Sequence, residues 1–125
     1  MEKNYLKLND ISSYKVAYHL SNYVWDIVIG WEYFARDTVG KQFVQSIDSV
    51  SANIAEGFGR FGKKDKIKFY RYSMGSLRES FDWNEKSKHR KLLTEAQYKH
   101  IFSELEKLPR EINSLIKFTN QKLAT

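Results

Sequence analysis

The sequence predicts an all-α protein, an antiparallel up-down-up-down four-helix bundle, on three observations. Apolar residues recur at helical spacing in four segments, no segment alternates as a half-buried strand would, and the 125-residue chain has one proline and one glycine-dense stretch, 57–62. A chain this long makes one core, so a single domain is expected over 1–125, with 1–11 as an N-terminal tail. Hydrophobic residues at 42% and aromatic residues at 15% are enough to fill that core.

The first helix is expected from Ser12 or Ser13, either of which can cap it, to about Trp31. Its apolar residues fall on two opposite faces: Tyr14, Tyr18, Trp25 and Val28 on one, and Val16, Leu20, Tyr23 and Ile27 on the other. A monomeric bundle buries one stripe per helix, so a second stripe needs cover. Val16, Leu20, Tyr23 and Ile27 are therefore the candidate oligomer interface. The other possible cover is the tail, with Tyr5, Leu6 and Leu8.

The second helix should span Asp37 to Glu56, where Val39, Phe43, Ile47, Val50 and Ile54 follow spacings of 4, 4, 3 and 4. Gly57 then reads as the residue past the helix end, in the left-handed conformation that is cheap for glycine, and Phe58–Gly62 as the reversing turn. The third helix is expected from Lys63 to Lys88, about 40 Å at 1.5 Å per residue, with Ile67, Tyr70, Met74, Leu77 and Phe81 as its stripe. Thr94 followed by Gln97 is a capping-box pattern introducing the fourth helix, striped by Tyr98, Ile101, Leu105, Leu108, Ile112 and Leu115. Pro109 lies inside that helix and is expected to kink it.

Composition removes several function classes. With no cysteine there is no disulfide, thiolate nucleophile or cysteine-ligated metal, and a reducing cytoplasm fits. No apolar run reaches the roughly 18 residues of a membrane span, and the N-terminus has no signal-peptide apolar region, so the expectation is a cytoplasmic protein with no membrane partner. His19, His89 and His100 form no metal-ligating motif, and Glu85–His89 and His100–Glu104 are i,i+4 pairs that ordinary helix surfaces carry. Gly57, Gly59 and Gly62 follow a helix rather than a strand, and neither Lys63 nor Lys64 is followed by Ser or Thr, so they are no phosphate loop. No catalytic residue, metal or cofactor is expected.

The net charge of +6 is concentrated in two stretches. Arg60, Lys63, Lys64, Lys66, Lys68 and Arg71 face only Asp65; Lys86, Lys88, Arg90 and Lys91 face no acid within their stretch. The second stretch lies at a helix C-terminus, where the dipole favours cations. The first lies at a helix N-terminus, where the dipole opposes them, so an anionic ligand is one reason for their presence. Phe58 and Phe61 flank Arg60; rings beside cations stack single-stranded bases, although Phe58 in particular can instead plug the core. Arg60, Phe61, Lys63, Lys64, Lys66, Lys68 and Arg71 are accordingly the candidate nucleic-acid-binding residues.

The sequence Asn53-Ile54-Ala55-Glu56-Gly57 with Gly59-Arg60, followed by Gly75-Ser76-Leu77 with Glu79, resembles a family of bacterial four-helix bundle proteins first noted as reading frames in intervening sequences of 23S ribosomal RNA genes. The resemblance extends over all four helices. It implies a homopentameric ring, and a similarity to the accessory proteins of diversity-generating retroelements, which bind nucleic acid or a reverse transcriptase through a basic surface. The chain departs from the family pattern at Val44-Gln45, where many members carry two arginines, and at Ser51, where proline is common. Read physically, Asn53, Glu56, Gly57, Gly75 and Ser76 are structural: Glu56 needs a local partner such as Arg60, and glycine within the third helix suits close approach of another helix. Two functions remain. One is a homo-oligomer binding RNA or single-stranded DNA through basic patches; the other is a protein-interaction scaffold.

Overall fold

The computed structural model describes residues 6–122 and is helical throughout, with no strand among the described residues. Tyr5 lies outside them. Helix α1 spans Ser12–Val28. Helix α2 begins with a turn, Tyr33–Ala35, passes through a π-helical stretch, Arg36–Gly40, and continues as Lys41–Phe58. Helix α3 spans Lys63–His89 and α4 Glu95–Lys122. Each helix packs on its sequence neighbours and α1 closes on α4, which is the antiparallel up-down-up-down arrangement.

Two stripes lie in the core as their spacing predicts. Phe43, Ile47, Val50 and Ile54 of α2 and Ile101, Leu105, Leu108 and Ile112 of α4 are fully buried. Thr94 and Gln97 form the expected reciprocal cap: the Gln97 amide donates to the Thr94 hydroxyl at 3.0 Å, and the Thr94 amide to the Gln97 side chain at 2.9 Å. Helix α4 runs through Pro109 without ending.

Helix α1 differs from expectation. Its buried seam is Ser13, Ala17, Leu20, Ser21, Val24 and Val28, running between the two apolar faces rather than along either. Leu20, assigned to an oligomer interface, is 2% exposed in the core of the single chain. Val16, Tyr23 and Ile27 are half-buried against that core, and Tyr23 lies 4.5 Å from the His100 ring of α4. The small seam residues carry no hydrophobic signal, yet they let α1 settle between its flanks. The tail makes a 3-10 turn at Leu8–Asp10, and Leu6 and Ile11 line a groove with Leu115 and Phe118 of α4. Tyr18, Trp25 and Ile29 remain exposed.

In α3 the buried stripe is Tyr70, Ser73, Leu77, Ser80, Asn84 and Ser87, while Ile67, Met74 and Phe81 are only half-buried. Serines bring α3 close to α2: Ser73 donates to the Val50 carbonyl at 2.7 Å, and Ser80, which donates to the Ser76 carbonyl of its own helix at 2.9 Å, lies 3.2 Å from Ser46 Oγ. The buried Ser87 hydroxyl has no protein partner among the described residues. Near its C-terminal end, Glu85 accepts the Tyr98 hydroxyl of α4, which with burial and the nearby Glu95 pushes that phenol up to about 12. The pairs Glu85–His89 and His100–Glu104 are not made; Glu85 holds Tyr98 and Glu104 pairs with Lys107.

Three turns and ends depart from what spacing alone predicts. Gly57 is not past the helix end but inside α2, buried, and no glycine has a positive φ. A Cβ there would lie 2.6 Å from the Tyr70 ring and 2.9 Å from the Lys66 carbonyl, so its missing side chain makes room for α3. Gly75, expected to make such room, has open space around it. The residue in the left-handed region is Lys91, φ 61°, where α3 ends with Leu92 N donating to the Ser87 carbonyl at 2.9 Å and Lys91 N to the Lys88 carbonyl at 3.0 Å. Finally, α2 starts at Tyr33 rather than Asp37, capped by the Glu32 carboxylate, which accepts from the Phe34 amide; apolar spacing misses this turn because Tyr33 and Phe34 are exposed and add nothing to the stripe.

Gly57→Ala should lower unfolding stability in urea by about 1–3 kcal/mol, the usual range for overpacking, because both neighbours it meets are held by packing. Lys91→Gly should raise it by about 1 kcal/mol, by relieving an L side chain in the left-handed region.

Candidate nucleic-acid interface

The end of the bundle where α2 turns into α3 gathers the first basic stretch, and the structure divides its cations into two sets. Lys66 turns inward. Its Nζ donates to the Phe58 carbonyl at 2.7 Å and lies 3.5 Å from that of Gly57, capping the C-terminal end of α2, with the Phe58 ring beneath it at 5.6 Å. Partial burial lowers its pKa. Lys63 Nζ lies 3.5 Å from the Asn120 carbonyl near the end of α4. These two lysines, which the helix dipole of α3 opposes, are thus held by carbonyls at the ends of two other helices, a reason that requires no outside anion.

Arg60 pairs with Glu56 at 3.2 Å, the local lock expected of the motif, and its guanidinium covers the Phe69 ring at 4.6 Å. Asn53 donates to the Ser49 carbonyl at 2.9 Å within α2. Ser76 is half-buried beside Gly75; close approach to α2 falls instead at Ser73 and Ser80. Phe58 packs against the core, whereas Phe61 is fully exposed at the tip of the turn.

Lys64, Lys68 and Arg71 stay on the outer face of α3. Together with Gly75 and Arg78 they follow spacings of 4, 3, 4 and 3, opposite the buried seam, and so form one solvent-facing stripe about 21 Å long. Lys68 has Asp65 at 3.4 Å; Lys64, Arg71 and Arg78 pair with no carboxylate among the described residues. Arg78 lies outside the basic stretches in sequence, and only the helical register brings it into line. Tyr72, 53% exposed, borders the stripe, its ring 5.4 Å from Phe69. Arg78 could have been found by continuing the outer register of α3 beyond Arg71.

The opposite end of the molecule is apolar and aromatic. Phe34, Val39, Trp83 and Leu92 line an open groove of about 730 Å³ with Lys41 and Arg90 at its edge. The C-terminal cations of α3 are engaged locally: Lys86 pairs with Asp82 at 2.6 Å and lies over Trp83, and Lys88 lies 4.1 Å over Tyr98. A second groove runs between Trp25 of α1, with Ile29 just past its end, and Val44 and Gln45 of α2. Among the described residues, no three His, Asp or Glu side chains gather to hold a metal ion, and no helix is long and apolar enough to cross a membrane.

This geometry defines a four-helix bundle with a cationic outer face on its third helix and aromatic grooves at the other end. The chain belongs to the 23S rRNA-intervening sequence protein family, whose model matches residues 9–114. None of the curated proteins matches it. Among solved structures it is similar to a protein of unknown function from the S23 ribosomal protein family of Bacteroides thetaiotaomicron VPI-5482. That pair is 19% identical, the match covers 84% of this chain and 98% of the other, and the TM-score is 0.74, a likeness of fold.

The division of the cations is testable by stability alone. Lys66→Ala should cost about 1 kcal/mol in urea unfolding, since the carbonyls at the end of α2 lose their charged donor. Lys64→Ala should leave stability unchanged within about 0.5 kcal/mol. Equal effects would mean that Lys66 is as free as its neighbour.

Proposed function

We propose that this is a non-catalytic, homo-oligomeric protein that binds nucleic acid, RNA or single-stranded DNA, through the outer face of α3. The observation that supports this most is the stripe itself. Lys64, Lys68, Arg71 and Arg78 stand in one line, and three of them have no carboxylate partner among the described residues. Cations kept in line with no intramolecular use suit a polyanion, whose phosphates release counterions when neutralised. Membership in a family named for 23S rRNA-intervening sequences agrees with that reading without naming a ligand.

Assembly is the second part of the proposal. Trp25 is 52% exposed and Phe34 72% exposed, each beside an apolar groove, and contiguous apolar surface on a small protein is usually covered by a partner. A second copy is the simplest cover, and the family resemblance implies five copies. Leu20 is buried within the chain, and Val16, Tyr23 and Ile27, half-buried against the core, offer less free surface for this contact than Trp25 and Phe34. The same exposed aromatics favour the other reading, an interaction scaffold whose partner is a different protein.

Binding of a labelled single-stranded oligonucleotide should fall steeply with salt. The triple variant Lys64→Ala/Arg71→Ala/Arg78→Ala should bind more weakly and flatten the log–log slope by about 0.7 for each phosphate it no longer neutralises. An unchanged slope would remove the nucleic-acid reading and leave the scaffold.

Light scattering should give a mass several times 14.8 kDa, fivefold for a pentamer. Trp25→Glu with Phe34→Glu should reduce it to the single-chain mass while helical circular dichroism is kept. A monomeric parent at micromolar concentration would refute self-assembly.

A further inference from the structure

Glycine is the non-proline residue least suited to a helix interior, and it persists there where something must come close to the backbone. In this chain Gly57 meets that description through Tyr70, but Gly75 does not: a Cβ on it would find nothing within 4 Å. No neighbouring helix accounts for it. Gly75 instead lies on the solvent-facing stripe, one turn after Arg71 and one turn before Arg78, where it leaves a bare stretch of helix between two cations that have no carboxylate partner among the described residues. On its flank Tyr72 offers an exposed ring, edge-on to Phe69, and Phe69 is itself covered by Arg60 at 4.6 Å and by Lys68 at 5.1 Å. Cations and an open aromatic face are therefore interleaved around a position cleared of side chain.

We propose that this face is a track for a single-stranded nucleic acid: the sugar–phosphate backbone lies against the bare helix at Gly75 between Arg71 and Arg78, and an unpaired base stacks on Tyr72. The inference rests on the nucleic-acid reading above and adds the class of strand and two residues, Gly75 and Tyr72. A duplex stacks its bases internally and has no free face for Tyr72, whereas a single strand supplies both the phosphates and the exposed base. Two-fold packing of this face on itself would set Arg71 and Arg78 against like charges, and a head-to-tail neighbour in a ring is the alternative that the mass of Gly75→Leu decides.

The test uses a fluorescein-labelled single-stranded 12-mer of uridine and, separately, an RNA duplex of the same length, with anisotropy read at about 50 mM salt, where phosphate contacts are strong. Tyr72→Ala should weaken single-strand binding about tenfold, the low end for losing one stacked base, and Tyr72→Phe should restore it. Gly75→Leu should weaken binding by a similar factor while raising the thermal midpoint, since leucine favours the helix; a purely structural glycine would lose stability and binding together. Gly75→Ala should raise the midpoint with a smaller loss of binding. The parent should prefer the single strand over the duplex.

If Gly75→Leu and Tyr72→Ala bind as the parent does while Arg71→Ala/Arg78→Ala does not, the track is wrong and the charge reading stands. Should Gly75→Leu change the mass seen by light scattering, another copy occupies that face and the track is equally wrong. A parent that binds neither strand removes the nucleic-acid reading itself, and the inference with it.

Discussion

The close packing of α2 on α3 is the constraint from which the rest of this structure follows. It is made by residues without bulk. Gly57 leaves room for the Tyr70 ring and the Lys66 carbonyl, and farther along Ser73 and Ser80 stand where a typical bundle helix would place leucine. Serine in a core is costly unless its hydroxyl is bonded, and here the short distance between the helices gives Ser73 the Val50 carbonyl, while Ser80 and Ser46 meet across the contact with each also bonded to a carbonyl of its own helix. At Ser73 close approach and hydroxyl satisfaction thus require each other. A larger residue at Gly57 or Ser80 would push the helices apart and strand the Ser73 hydroxyl.

That contact fixes the rotation of α3, and the rotation sorts its cations. With Tyr70, Ser73, Leu77 and Ser80 turned inward, Lys66 falls beside the end of α2 and is drawn to its carbonyls. Lys64, Lys68, Arg71 and Arg78 are turned outward. Cations close together in sequence therefore have two different physical fates. Some cap neighbouring helices, and others are left in water, which is where a polyanion can use them.

The two ends of the bundle also differ in character. At the α2–α3 turn, charge dominates, with Phe61 projecting from the tip. At the other end, Phe34 and Trp83 line an open groove beside a π-helical stretch and beside Lys91 in the left-handed region. Both backbone irregularities cost free energy, and both adjoin the exposed aromatic surface on which the assembly reading depends. A molecule built this way separates a surface suited to polyanions from a surface suited to another protein.

The sequence by itself determined the four helices, the cap formed by Thr94 and Gln97, and the buried lines of α2 and α4. Those features rest on local spacing and on large apolar residues whose periodicity is visible in one dimension. The Arg60–Glu56 pair was equally legible, being one helical turn long. What only the tertiary structure decided lies where small residues meet other helices. The α1 seam of Ser13, Ala17 and Ser21 and the serines of α3 carry no hydrophobic signal, so their burial depends on a neighbour that the spacing does not reveal. Neither glycine has its expected role, for the same reason: whether a missing Cβ makes room for a helix or for solvent depends on what faces it. The candidate site was half legible, since the basic stretch is plain in the sequence. Which of its lysines face a carbonyl and which join Arg78 on the outer stripe was settled by the angle at which α3 docks on α2.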